Sequence, residues 1–369
     1  MNAVTAFAQD LTPLDRLPLS DALAALVAEA SDYDCTGADA GALVRPLVQA
    51  GIFLDVLPEP FGAGLATEAS KVDRLHDLLR RIGGANLSAG RLFEGHVNAV
   101  KLVFAFGNAF QRAEVRDGVL AGDLMGVWNA EAPPGVRLES EAGGLVLQGS
   151  KIYASGVGLL KRPLITARDV DGALHITAPK AANRAPFDLS GWRMRGMRAT
   201  ATGTIHLDGV SVETTEIIGG PGDYYRSPGF RGGAWRFATV QLGALEEIVR
   251  LMTQGLKSRG RAADVHQKAR LGQAEIAVQT ARLWTLHAAD VVEGGASSAA
   301  EADACAGMAR LTVERMALEV IELAERALGL MAFSEAEPIE RIVRDLSTYL
   351  RQPFPDAVLD GVGEWVFDR

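Results

Sequence analysis

The chain has 369 residues, 48% of them hydrophobic, and a formal net charge of −9. That length and apolar content support a large core spread over two or three domains, and an acidic chain without a basic stretch excludes nucleic acid as the natural partner. Cys35 and Cys305 form no metal-ligand or CxxC spacing, the opening "MNAVTAFAQDLTPLDRLPLS" lacks the basic-then-apolar order of a secretory signal, and no apolar run reaches the roughly 18 residues of a membrane helix, so a reduced, cytoplasmic setting is expected.

From about Leu19 to Gly122 the apolar spacing is helical. "LSDALAALVAEASDY" places apolar residues at i, i+3 and i+4, with Ser20 as N-cap. "GIFLDVLPEPFGAGLA" reads as a loop from its prolines and glycines. "ATEASKVDRLHDLLRRIGG" predicts a further helix closing on Gly83 and Gly84 as its C-cap, and "GHVNAVKLVFAFG" a buried one. From Asp123 to Ile218 short alternating runs rich in Val, Ile and Thr predict strands: "GLVLQGSKIYASG", "RPLITARDV", "ALHITAPK" and "GTIHLDGVSVETTEI". Hairpin turns are expected at "EAGG" (Glu141 to Gly144) and "DVDG" (Asp169 to Gly172). From Gly229 the helices return, three of them of roughly six to eight turns, rich in Ala and apolar on more than one side, as in antiparallel bundles that reach into a subunit interface. The last stretch, "RIVRDLSTYLRQPFPDAV", starts as an amphipathic helix with Ile342, Leu346, Tyr349 and Leu350 on one face, and breaks at Pro353 and Pro355. The predicted fold is mainly α with a central β domain: a helical domain over 1–122, a β domain over 123–227 and a helical bundle over 228–369.

This order, with several local motifs, resembles the acyl-CoA dehydrogenase family of flavoproteins. "VLPEPFGAG" (Val56 to Gly64) is similar to the family's Pro-Glu-x-(Tyr/Phe)-Gly-Gly-x-Gly loop, and "LVLQGSKIYASG" to its Gly-x-Lys-x-(aromatic)-x-(Thr/Ser) hairpin. "MRGMRATATGTIHLDGVSV" (Met194 to Val212) resembles the Gly-Met-Arg-x-Thr-x-Thr segment and the strand after it. "GLMAFSEAEPIERIVRD" (Gly329 to Asp345) resembles the C-terminal glycine loop that runs into an Arg-Asp helix. The resemblance implies a middle β-barrel or sandwich, a C-terminal four-helix bundle, and FAD bound between them in a homodimer or homotetramer. It also implies oxidation of an acyl thioester at the α,β-position, in which a glutamate takes the α-proton and the flavin takes the hydride.

Against that pattern the glutamate's usual position falls on Pro353, and the alternative position, near Gly233, lies in a stretch without a carboxylate from Arg231 to Val240. Asp356 and Glu131 are the substitute bases available. Asp356 is equally read as the N-cap of a last helix, and Glu131 as the carrier of a backbone group placed on the isoalloxazine. The resemblance assigns flavin contacts to Trp128, Ala130 and Glu131 in "WNAEAPPG" and to Tyr153 and Ser155 in the hairpin, with Ser155 near flavin N5. At the dinucleotide end, Arg259 and Arg261 stand where pyrophosphate contacts are expected, although a solvated face explains them too. Arg326 replaces a glutamine and can meet phosphate or pair with Glu322; only Gly329 survives of the glycine loop. Met331, Phe333, Leu350 and Phe354 either line an acyl cavity or pack a core. His96 reads as a satisfied core histidine, and no pair of histidines has metal-ligand spacing.

Three functions compete on these residues. One is an FAD-dependent dehydrogenase acting on a small-molecule substrate such as an acyl-CoA. The second is a flavin monooxygenase or oxidase of the same fold, which needs no α-proton base and is compatible with "YASG". The third is a binding or assembly protein that kept the fold.

Overall fold

A computed structural model describes residues 16–35, 37–294 and 298–368, so the reading of the first fifteen residues lies outside it. The chain forms two compact units. The first comprises residues up to Lys71 with Leu92–Arg193 and Arg198–Phe230, and the second Val72–Arg91, Met194–Met197 and the chain from Arg231 onward.

In the first unit, helices α1 (Leu19–Ala28) and α2 (Ala40–Gln49) pack on each other through Ala22, Leu26, Leu43, Val44 and Leu47, all essentially inaccessible to solvent. Each such leucine contributes on the order of 1.5–3 kcal/mol by burial. Ser20 is not the cap: α1 starts one residue earlier behind Pro18, whose fixed φ sets up the helix, and the Ser20 hydroxyl turns to Asp21 at 3.0 Å. Asp39 caps α2 by accepting from Gly41 N at 2.9 Å. The buried helix expected around "GHVNAVKLVFAFG" lies in α4 (Leu87–Phe106), which the described order places after α3 (Val72–Ala85) and before α5 (Ala109–Leu120). The start of α5 is fixed by a full capping box between Asn108 and Gln111.

The β region has two sheets. One runs β10 (Ile217–Ile218), β6 (Leu174–Thr177), β5 (Arg162–Arg168), β2 (Arg137–Glu141), β3 (Gly144–Gln148), β9 (Val210–Val212), with β1 (Met125–Trp128) parallel to β5. The other runs β4 (Ser150–Ala154), β8 (Gly203–His206), β7 (Phe187–Asp188). Both expected turns form. Glu141 pairs with Gly144 across a two-residue loop, and Asp169 accepts from Asp171 N and Ala173 N. The chain passes from the first sheet to the second at Gly149, whose φ of +114° and approach to the Gly135 carbonyl leave no room for a Cβ. Alternation does not mark β1 and β2, because "MGVW" is too short and "RLESE" too polar to stand out.

The second unit is helical: α3, then α6 (Ala234–Ser258), α7 (Val265–Gly294), α8 (Ala299–Leu328), α9 (Pro338–Tyr349) and α10 (Pro355–Asp368). Gly83 and Gly84 do not end α3, which continues to Ala85. They are where α3 lies against α6: a Cβ on Gly83 would stand 2.0 Å from the Val240 carbonyl oxygen, and one on Gly243 1.9 Å from that of Arg80. The glycines serve close packing, not capping. Around them sit ion pairs tying the helices: Arg80 and Arg282 share Glu246 at 2.6 Å each, and buried Arg236 meets Glu293 at 2.6 Å. Asp356 is not an N-cap either. Helix α10 begins at Pro355, a residue suited to a first turn, and Asp356 lies exposed within that turn.

Candidate functional site at the end of the β hairpin

Strands β1 and β4 end side by side, and most of the residues assigned to the flavin meet there. Ile152 N donates to the Ala130 carbonyl at 2.9 Å, Glu131 bridges to Lys151, and the Trp128 indole N–H donates to the Ser155 carbonyl at 2.9 Å. Trp128 itself is buried.

The group that organises this end is Lys151, to which the sequence reading gives no role. Its side chain is fully buried, a position that costs heavily unless every N–H of the ammonium is satisfied. It is: Nζ donates to the Asn129 carbonyl at 3.0 Å, to Glu131 Oε2 at 2.7 Å and to Thr166 Oγ1 at 3.0 Å. Thr166 in turn donates to Asn129 Oδ1 at 2.7 Å. Burial pushes the lysine below its ordinary pKa, and Glu131 pulls it back. One buried cation therefore locks residues 129–131 onto the hairpin. Glu131 also accepts from Val136 N at 3.2 Å. The carboxylate is thus anchored through Oε2 by a lysine and a backbone amide.

Residue 153 sits in a bulge between Lys151 and Ala154, where Tyr153 takes φ +52°, a conformation that strains a bulky residue. The bulge turns the ring outward; it is 57% exposed and meets Trp192 edge-on at 6.2 Å. Ser155 ends a chain of hydroxyls. Thr202 donates to Ser155 Oγ at 3.1 Å, which leaves Thr202 as acceptor in its 2.6 Å contact with Thr200. Both threonines are buried, and the half-buried Ser155 keeps its own proton uncommitted among the described residues. The motif's two threonines thus leave one serine donor available. The hairpin end offers an exposed aromatic, an oriented hydroxyl donor and a rigid backbone edge, a donor set that fits the polar edge of a flavin ring.

His96 explains itself: Nδ1 accepts from Met125 N at 3.0 Å and Nε2 donates to the Phe53 carbonyl at 3.1 Å, so the ring is neutral and serves the core. Burial lowers its pKa to about 4. No cluster of His, Cys, Asp and Glu among the described residues could hold a metal, and no helix among them is long and apolar enough to cross a membrane.

In the second unit the remaining assigned residues are engaged locally. Arg259 caps the end of α8 by donating to the Leu328 carbonyl at 3.1 Å, Arg261 pairs with Asp264 at 3.0 Å, and Arg326 pairs with Glu322 at 3.2 Å on an exposed face. Gly329 terminates α8 at φ +64°. Two distant motifs are joined here: Met197 N donates to Asp345 at 2.6 Å, and Arg344 donates to the Arg195 carbonyl at 2.8 Å. Gly196 is required because a Cβ would strike the Arg344 carbonyl at 2.3 Å. The break after α9 is also fixed by a side chain. Buried Arg310 donates from Nη2 to the Pro353 carbonyl at 2.7 Å, and Phe354 follows at φ +57°. Of the residues offered for an acyl cavity, Leu350 is core, while Met331, Phe333 and Phe354 are exposed.

Residues 224–350 match the family model described as acyl-CoA dehydrogenase, C-terminal domain. No curated protein matches the sequence significantly. Among solved structures, nitrososynthase from Micromonospora carbonacea var. africana superposes with a TM-score of 0.81 at 18% identity, covering 99% of this chain and 97% of that one. FMN-bound TdsC from Paenibacillus sp. A11-2 gives 0.82 at 20% identity over 95% and 96% of the chains. KijD3 in complex with FMN and a dTDP-linked amino-keto sugar gives 0.83 at 17% identity over 100% and 97%. At such identities the likeness is one of fold. The chain therefore has the acyl-CoA dehydrogenase-like fold, helical with a central β region and a C-terminal helical domain of that kind. Of these neighbours, TdsC and KijD3 were crystallised with FMN.

Proposed function

We propose that the protein is a flavin-dependent monooxygenase, using FMN, in which the fold has given up α-proton abstraction. The observation that carries this reading is the state of the carboxylates. Pro353 stands at the family's base position, Glu131 is pinned by Lys151 and Val136 N, and Asp356 is exposed in the first turn of α10. A general base needs hydrogen-bond reach to the proton it takes; Pro353 has no proton-accepting side chain, Glu131 is anchored through Oε2 to Lys151 and Val136 N, and Asp356 stands on the exposed surface of α10. An oxygen-using flavin enzyme needs no such base. When bound, the flavin supplies the two-electron redox step and, once reduced, the reaction with oxygen.

The chain's own part is to hold and shield. Ser155 donates its oriented proton to a ring acceptor, the Lys151 network keeps the backbone at Ala130 and Glu131 rigid, and the Tyr153–Trp192 pair covers the edge. FMN is favoured over FAD because Arg259, Arg261 and Arg326 are spent on local partners and the glycine loop has shrunk to Gly329, leaving little to receive a second phosphate and an adenosine. The relatives TdsC, crystallised with FMN and described as a dibenzothiophene monooxygenase, and KijD3, crystallised with FMN, support the same reading.

Homo-oligomerisation belongs to this proposal. Ile276 and Leu283 on α7 and Phe354, Leu359 and Phe367 near the C-terminus leave large apolar side chains exposed on the helical unit, where a second copy could cover them. A cytoplasmic setting belongs to it too, on the two unpaired cysteines.

The test is stopped-flow mixing of reduced FMN with oxygen in the presence and absence of the protein. Return of the oxidised flavin band that is slowed or made biphasic by the protein, but not by the same protein with FAD, is the expected result. Kinetics identical to free FMN would contradict it.

A further inference from the structure

We infer that the first unit carries a pocket for a small organic carboxylate, behind the hairpin end and distinct from it. A cavity of about 180 Å³ opens between the start of α2 (Ala38–Gly41, Arg45) and the segment that leaves β4 (Val157–Lys161), closed by Phe187, Leu189 and Ala201. A single water needs only about 10–15 Å³ of such volume, whereas drug-sized ligands occupy pockets of roughly 300–1,000 Å³. The occupant is therefore larger than water or a simple ion and no larger than one ring or a short chain.

Charge fixes its sign. Arg45 and Lys161 both line the cavity. Neither side chain makes a hydrogen bond or ion pair with a described residue, and Arg45 Nε is buried without any acceptor. The one carboxylate in the lining, Asp39, is already occupied as the cap of α2 through Gly41 N. Asp123 feels the Lys161 charge, yet it lies outside the lining and is itself raised in pKa, mainly by burial. Tyr33 on the neighbouring turn is pushed up to about 12, first by burial and then by Glu29, so it adds no negative charge at neutral pH. A buried guanidinium N–H with nothing to donate to is what an incoming carboxylate oxygen would satisfy, and the planar guanidinium suits that geometry.

The remainder of the wall selects for an apolar body: Leu124, Val157, Leu159, Phe187 and Leu189. The positive end of α2 adds to the field without carrying the argument. The pocket also shares backbone with the hairpin end. Gly156 N donates to the Thr200 carbonyl at 2.9 Å and Val157 N to that of Ala201 at 3.1 Å, so the wall is continuous with the segments that hold Ser155 and Thr202.

The experiment is isothermal titration of the full-length protein with benzoate, butyrate, the neutral isostere benzamide and inorganic phosphate, with and without FMN, repeated on Arg45→Met and Lys161→Met. Saturable binding of benzoate or butyrate at one site per chain is expected, at least tenfold tighter than benzamide and phosphate, unchanged by FMN, and weakened at least tenfold by each substitution. The inference is overturned by no saturable binding, by benzamide or phosphate binding as well as benzoate, by displacement with FMN, or by variants that bind like the parent. The comparison of benzoate with benzamide on the parent protein decides the matter even where a variant fails to fold.

Discussion

The end of the β hairpin and the junction of α9 with α10 are both built on motifs of the same fold, and they have fared differently. At the hairpin the buried Lys151 ammonium has all three of its partners, and the Ser155 hydroxyl accepts from Thr202 with its own proton uncommitted among the described residues. At the junction a proline stands in the family's base position, its carbonyl held by Arg310; the arginines expected to meet phosphate have other partners, Arg259 the Leu328 carbonyl, Arg261 Asp264 and Arg326 Glu322. The difference separates the two halves of the chemistry. On the proposed reading, holding a flavin ring takes the anchored edge and hydroxyl that the hairpin has, whereas taking an α-proton takes a carboxylate where Pro353 stands.

The comparison can be broken most forcefully at Lys151. Lys151→Met strands Glu131, Thr166 and the Asn129 carbonyl, and should cost about 3 kcal/mol in urea unfolding, the lower end of the range for breaking a buried pair because Glu131 keeps some solvent. A loss below about 1 kcal/mol would mean that the network does not organise the hairpin. In the helical unit Gly243→Ala should cost roughly 3 kcal/mol, since its Cβ would overlap the Arg80 carbonyl and the Gly84 amide; a neutral result would show that α3 and α6 can separate without penalty.

Acidification sharpens the contrast between the structural histidines and the candidate site. His96, by burial, and His76, by burial and then by Arg80, are both held near pKa 4, below the ordinary 6.5. The unfolded chain therefore binds more protons than the folded one between these values. Stability is full above about pH 6.5 and falls as pH drops toward 4, by about 2 kcal/mol per histidine at pH 5. Urea midpoints at pH 7 and pH 5, with His76→Asn flattening the slope, check this.

Ser155→Ala should cost about 1 kcal/mol, since it strands the buried Thr202 hydroxyl, while weakening FMN binding about tenfold, measured by fluorescence quenching of the flavin; an unchanged affinity would remove the hydroxyl relay from the site. The smallest effect belongs to Arg326→Ala. Its pair with Glu322 is exposed on both sides, so FMN affinity should not move, and a loss of affinity would return the residue to the phosphate.

Much of the fold was legible because long amphipathic helices and alternating strands carry their period in the sequence. The QPFP break was legible too, since two prolines forbid a helix. The capping residues were not. Gly83 and Gly84 look like a C-cap until α6 is seen lying on them, and Ser20 and Asp356 look like N-caps until Pro18 and Pro355 fix the starts one or more residues earlier. At the candidate site the aromatic and the serine of the hairpin stood out as motif positions. The lysine and the two threonines stood in the same motifs, but their roles depend on Asn129, Thr166 and Ser155 being brought within 3 Å or so by sheet pairing, which no spacing along the chain displays.

On the proposed reading the hairpin end holds a flavin and the chain lacks an α-proton base. An anaerobic visible spectrum of the flavin-loaded protein, taken before and after a panel of acyl-CoA thioesters, tests it directly. The account predicts an oxidised flavin band that no thioester bleaches. Bleaching by any of them would show that a base survives, would make Asp356→Asn the next variant, and would contradict the account.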